Sequence, residues 1–264
     1  MDAVVAPYHW DDRKKLFSDY NFIQKVYEEQ LQELRLKLNQ IHGVDHSLRY
    51  WRVLIGPWLG FFLQVLFDRW FMLKQVIEAG EVSACRILDR KEEHAIPNDM
   101  VHFLELYSND DWNEKIYGQL IKFYWNKNFK VERVSPEVVL DQQLDQQIEN
   151  APKNGKITFK SLAKTIVSFF YPLTVKDNEY FFKTSYLPFK SVLYLQVRLG
   201  QFPKFWPDVP LEKVRPDMQK RKWQAGCSKE DDTFSHAARQ LVPLNIPTAY
   251  LEGYETLIGK IKSL

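Results

Sequence analysis

Four short stretches of this 264-residue chain hold side chains able to do chemistry. In the first, Tyr8-His9-Trp10-Asp11-Asp12-Arg13, an imidazole, two carboxylates, a guanidinium and two aromatic rings stand just ahead of an apolar-periodic run. Two readings fit it. Aromatic rings can stack on the apolar face of a sugar while carboxylates and arginine take its hydroxyls. Equally, an aspartate can cap a helix while its aromatic neighbours staple the entry. On the first reading His9 is the candidate general base, because imidazole titrates near neutral pH.

The second stretch runs from His42 to Arg52. On a helix begun by Asp45 or Ser47, His46, Arg49 and Tyr50 fall on one face, with Arg52 three residues beyond Arg49. Two arginines near a helix start oppose its dipole. A bound phosphate or carboxylate would account for them through bidentate guanidinium contacts, and so would ion pairs with Asp45 or Asp68. His42 and His46 do not share a helix, since Gly43 separates them, so no metal site is expected from that pair. The third stretch, Asp68-Arg69-Trp70, puts a charged pair inside an apolar helix, where such pairs more often fix packing than do chemistry. The fourth, Thr184 to Pro188, lies at an expected strand-to-helix junction, the place where ligands gather in α/β sheets. It offers Tyr186, with Arg198 on the helix that follows, although Ser and Thr there also suit a cap.

The elements that must position these residues follow from periodicity. Apolar residues from Leu16 to Ile41 recur at helical steps, which predicts one helix from Asp12 to His42 stopped by Gly43. A second apolar stretch, from His46 to Ala79 and closed by Gly80, should kink or split at Pro57. Its segment Val53 to Phe67 falls short of the ~20 apolar residues that span a bilayer, so burial inside the protein is expected. Strands are expected over Glu81–Leu88 and Phe129–Val134. Helices are expected over Asn98–Tyr107 and Asp111–Trp125. In the second half, Thr158–Tyr171 reads as helix and Tyr180–Tyr186 as strand. Leu187-Pro188 opens a helix that ends at Leu199-Gly200, Pro203–Pro216 is irregular, and helices follow over Phe234–Leu241 and Leu251–Leu264. The alternation predicts an α/β, helix-rich fold with a small, mainly parallel sheet. Residues 1–80 form a long helical segment, 81–264 the α/β part of the same domain, and the Gln- and Asn-rich stretch near 137–157 an internal loop boundary.

Composition narrows the function classes. The chain is 45% hydrophobic and 15% aromatic, with 36 basic residues against 34 acidic. It can therefore build a core, and it shows no concentrated basic face for nucleic acid. Two isolated cysteines, Cys85 and Cys227, exclude Cys-x-x-Cys zinc and redox motifs and fit a reducing compartment. There is no Walker loop, Gly-x-Gly-x-x-Gly, His-Glu-x-x-His, Gly-x-Ser-x-Gly or Asp-x-Asp pair.

Taken together and in order, the stretches Tyr8 to Arg13, Ile41-His42-Gly43, Arg49 to Gly60 and Leu66 to Trp70 resemble a family of bacterial transferases found in surface-polysaccharide gene clusters. So do Ser185 to Pro188, Leu195 to Pro203 and Ile246 to Tyr254. The resemblance implies a Rossmann-like N-terminal half of a type-B glycosyltransferase-like architecture. It places the chain on the acceptor side of a glycosyl or glycerophosphoryl transfer. The nucleotide-activated donor would be held mainly by a C-terminal half carrying a His-Gly-Gly motif that this sequence lacks, so a fragment inactive by itself is expected. The apolar Leu257, Ile258, Ile261 and Leu264 point to a packing partner for the last helix. The acceptor would be a saccharide or lipid-linked. His46, Arg49 and Arg52 would take an anionic group, Tyr186 and Arg198 would assist, and His9 would serve as base. No metal or cofactor is implied, no nucleic acid is expected, and the location is cytoplasmic, with room for peripheral contact at the inner membrane. The competing reading is a binding or scaffold module without catalysis.

Overall fold

A computed structural model describes residues 5–125, 130–135, 187–200, 211–223 and 234–262. They belong to two compact units, one of residues 1–138 with 211–260, the other of 139–210 with 261–264. The expected boundary near 137–157, the helix over 158–171 and the strand over 180–186 lie outside the described residues.

The first unit opens with helix α1, Arg13–His42. The Asp12 side chain accepts from the amides of Lys14 and Lys15, which settles the cap, and Gly43 ends the helix in the left-handed region at φ 63°. Its buried residues, among them Ile23, Val26, Leu34 and Leu38, are spaced three and four apart, so one stripe faces inward. Helix α2, Leu48–Leu54, is capped by Ser47, and helix α3, Gly56–Ala79, ends at Gly80 with φ 68°. Between α2 and α3 the chain bends by 67°. Pro57 supplies the reason: it has no amide to continue the α2 ladder, but it suits the first turn of a new helix. Gly56 lets α1 close on the bend, since a Cβ there would stand 2.5 Å from the Tyr27 hydroxyl.

Helix α3 is buried nearly all round. Trp58, Leu59, Phe62, Leu63 and Leu66 have no exposed surface. It packs against α1, α2, helix α4 (Met100–Leu106), helix α5 (Asp110–Leu120) and helix α7 (Phe234–Asn245), and so forms the centre of the unit. Among the described residues no single helix is long and apolar enough to cross a membrane. The bent pair α2–α3 meets that test only jointly, and its apolar side chains are mostly core.

Strand β1, Ala84–Leu88, pairs in parallel with β2, Lys130–Val134, in the register Ala84↔Lys130 to Leu88↔Val134. A parallel pair needs a crossover. Helices α4 and α5 and a π-helical turn, Ile121–Trp125, supply it. The molecule is thus helix-rich with a small parallel sheet, as the alternation predicts.

Helix α7 runs beyond the expected Leu241 to Asn245, with Pro243 inside it. The buried Arg221 guanidinium explains how the extra turn ends. It donates to the carbonyl of Ile246 at 2.7 Å and to those of Pro243 and Leu244 at 3.4 Å, a cation on the negative helix end. A 3₁₀ turn, Thr248–Tyr250, which periodicity does not reveal, then docks on the loop before α4. Thr248 N donates to Pro97 O, and Ala249 N to Asn98 O. Helix α8, Tyr254–Lys262, follows; Leu257 is buried in the unit's own core and Ile258 packs against it. In the second unit the described structure is helix α6, Phe189–Arg198, which opens at Pro188 as the sequence predicts.

Candidate functional site

The parallel strands converge on a cavity at their carboxyl ends, of about 90 Å³. Helix α5 is pinned over it, because Glu114 accepts the Leu88 amide at 2.7 Å where β1 stops. Beyond the strand, Asp89 N donates to Val134 O at 2.8 Å and keeps the two chains together for one more residue. The loop then carries Arg90, whose guanidinium pairs with Asp111 and lies 3.8 Å from Glu114. His94 completes this group, with Nε2 2.6 Å from Asp111. The next residue, Ala95, holds a left-handed φ of 53°, a local strain for a residue with a Cβ.

Five basic side chains line the cavity: Arg90, Lys91, Lys115, Lys122 and Arg133. Three acidic ones accompany them, and each has a basic neighbour. Glu114 lies beside Arg90, Glu92 accepts from Lys122 at 3.2 Å, and Asp89 is 3.8 Å from Arg133. Lys115 differs from the rest. It is 7% exposed, and its Nζ has no hydrogen-bond partner among the described residues. Burial, and after it the nearby Arg221 charge, push its ammonium down to about 7. The arrangement can hold an anion and neutralise it.

A second concavity of about 310 Å³ lies between α1 and α7. It joins Trp223 to Gln30, Glu33 and Arg239, and Arg239 donates to Glu33 at 3.0 Å.

The residues singled out from sequence go to several places. His9 is 5% exposed, and its Nε2 lies 3.1 Å from Asp68 Oδ1. Its ring stacks on Phe71, and Trp10 stacks on Phe67. Burial lowers the His9 pKa, and the bond to Asp68 offsets part of this. Its Nδ1 has no hydrogen-bond partner among the described residues and faces Asp19 at 3.8 Å. The first stretch therefore closes the chain start onto α3. His46 stacks on Tyr50, whose hydroxyl meets that of Tyr254 at 2.9 Å. Arg49 is exposed. Arg52 turns the other way and makes a bidentate pair with Glu28 on α1, both contacts at 2.6 Å. The ion partner is thus neither Asp45 nor Asp68, because α1 runs alongside α2. His46 and Arg52 accordingly serve different neighbours. Arg198, in the second unit, donates to the Tyr194 hydroxyl at 2.8 Å. Tyr186 lies outside the described residues. Among the described residues no group of His, Cys, Asp and Glu could hold a metal ion.

Lys115 and Arg90 escape a motif search. The signal available for Lys115 was its phase: it falls between Trp112 and Ile116 on the apolar face of α5. Nothing comparable marks Arg90, whose carboxylate neighbours Asp111 and Glu114 come from α5.

Compared with known proteins, residues 1–263 match the family model described as LIC12162 family transferase. No curated protein and no solved structure matches.

Proposed function

Because the chain belongs to the LIC12162 family, a family of transferases, we propose that it is the acceptor-side, Rossmann-like part of a type-B-like transferase of bacterial surface-carbohydrate synthesis. It acts in the cytoplasm or at the inner face of the membrane. The reaction moves a glycosyl or glycerophosphoryl group from a nucleotide-activated donor, held mainly by another part of the enzyme, to a saccharide or lipid-linked acceptor. The acceptor oxygen forms the new bond while the bond to the departing phosphate breaks, and the acceptor proton passes to a base.

The observation that carries this reading is the basic cavity at the carboxyl ends of β1 and β2. Parallel α/β sheets bind ligands there, and phosphate-bearing substrates need their charge held as the transfer proceeds. His46, Arg49, Arg52, Tyr186 and Arg198 remain the proposed contacts for the rest of the substrate, and of these Arg49 and Arg198 are exposed. For His9 to act as base, its free Nδ1 would have to reach the acceptor.

The test is to incubate the chain with a panel of nucleotide sugars and CDP-glycerol plus glycan acceptors, and to follow product by mass spectrometry. Calorimetry would measure ligand binding in parallel. Binding of a glycosyl phosphate, added to the acceptor panel, that weakens at least tenfold in Lys91→Ala/Lys122→Ala is expected, and tight binding of a nucleotide-activated donor by this chain alone would overturn the division between acceptor and donor sides. If no member of either panel binds or is converted, the reading is wrong.

A further inference from the structure

Lys115 is a buried amine for which the described residues provide no acceptor. An unpaired ammonium away from water is among the costliest groups a protein can hold. A merely structural residue at that point of α5 would be better as methionine or leucine, in phase with Trp112 and Ile116. The side chain lines the strand-end cavity, where the other basic groups are engaged or exposed. Arg90 is braced by Asp111, Lys122 is bonded to Glu92, and Lys91 is exposed at the surface. The three acidic residues face basic partners, so the uncompensated charge of the cavity is positive.

Size narrows the ligand. About 90 Å³ is well below the ~300 Å³ at which pockets begin to enclose a whole ligand. A complete nucleotide sugar does not fit, but a tetrahedral oxyanion does. We propose that the strand-end cavity is a phosphoryl-group subsite, with the Lys115 ammonium at its floor and Lys91 at its mouth. The inference deepens the transferase reading and rests on it only for the claim that the phosphoryl group belongs to a substrate.

A pH signature follows. With its pKa near 7, Lys115 is largely neutral above that value and becomes charged below it. An anion would favour the charged form, so binding should tighten as pH falls from 9 to 6. The charged groups around Lys115 are Arg221 from the 211–223 segment and, across the cavity, Arg90, Lys122, Arg133, Asp89, Glu92 and Glu114. His94 lies behind Arg90.

The experiment titrates the 264-residue chain with sulfate, pyrophosphate and acetate by calorimetry at pH 6, 7.5 and 9 and constant ionic strength. Sulfate keeps its charge across this range, so its pH dependence reports the protein. Sulfate and pyrophosphate should bind, acetate at least tenfold more weakly, and affinity should fall with rising pH. Lys115→Met should lose at least tenfold in affinity and flatten the pH profile. Its melting temperature should be unchanged or higher, since the variant removes a buried unpaired charge. His94→Gln should retain the profile. Should Lys115→Met not fold, Lys91→Glu at the exposed mouth should still weaken sulfate binding tenfold. Equal binding by wild type, Lys115→Met and Lys91→Glu, or no binding of either oxyanion, overturns the subsite. Lys115-dependent binding of sulfate and pyrophosphate, with no phosphate-bearing acceptor bound by the same chain, would support the subsite and count against the transferase reading.

Discussion

Asp68 shows how one residue in an apolar helix can be structural and still read as chemistry. It is 6% exposed, accepts from His9, and is paired with Arg69, which in turn donates to Asn113 at 2.9 Å. Its position inside α3 was legible, and so was the inference that a charge there must be paired. Its second partner was not, because His9 lies 59 positions away. Replacing Asp68 with Asn keeps the shape but leaves Arg69 and His9 facing a neutral group. Breaking a fully buried pair costs ~3–5 kcal/mol, and the partial exposure of Arg69 reduces this to about 2 kcal/mol. Urea unfolding of Asp68→Asn should show that loss; a change below ~0.5 kcal/mol would mean the pair is not what holds the chain start. The Arg52–Glu28 pair is a contrast. Both side chains are more than a third exposed, so solvent screening limits its worth despite the bidentate geometry.

At the scale of elements, the glycines at helix ends are not interchangeable with glycine inside a helix. Gly43 ends α1 in the left-handed region with open space around it, so a Cβ would strain the backbone without clashing. Gly259 sits inside α8, also in open space, without a positive φ. Gly43→Ala should therefore destabilise by about 1 kcal/mol, whereas Gly259→Ala should stabilise by up to ~1 kcal/mol through helix propensity. Thermal melts of the two variants check this, and shifts of the same sign would refute it. The bend between α2 and α3 follows the same logic. Its position was set by Pro57, but its 67° angle and the approach of Tyr27 to Gly56 are products of packing against α1.

At the scale of the molecule, the first unit is closed by contacts between segments far apart in the chain. The buried Arg221 and Glu252 form a bidentate pair, with both contacts at 2.7 Å, and Glu252 also accepts the Asp217 amide at 2.8 Å. This locks the 211–223 segment to the turn before α8 and satisfies the end of α7. Glu252→Gln would leave Arg221 buried and half-partnered, so we expect a loss of about 3 kcal/mol. Chemical denaturation should show an earlier midpoint with an unchanged slope. A cost under ~1 kcal/mol would show that the α7 carbonyls alone hold the guanidinium.

The sequence by itself determined what is local. Apolar spacing set the course of α1 and α3, Gly43 and Gly80 two stops, and Pro57 the break; the two starts were narrowed to adjacent candidates, from which the structure takes Asp12 and Ser47. Alternation placed β1 and β2, since these depend on residues within a few positions of one another. Charge partners and cavities were decided only when distant elements met. Arg52 was seen to need an anion, but α1 supplies Glu28 from 24 positions away. The 3₁₀ turn Thr248–Tyr250 forms where the chain docks on Pro97 and Asn98, 150 positions from Thr248 in the latter case. Lys115 carries no motif, and its meaning comes from α5 being fixed over the strand ends by Glu114. A side chain's environment is the sum of surfaces brought from elsewhere in the chain, so its burial and its missing partner exist only in the tertiary structure.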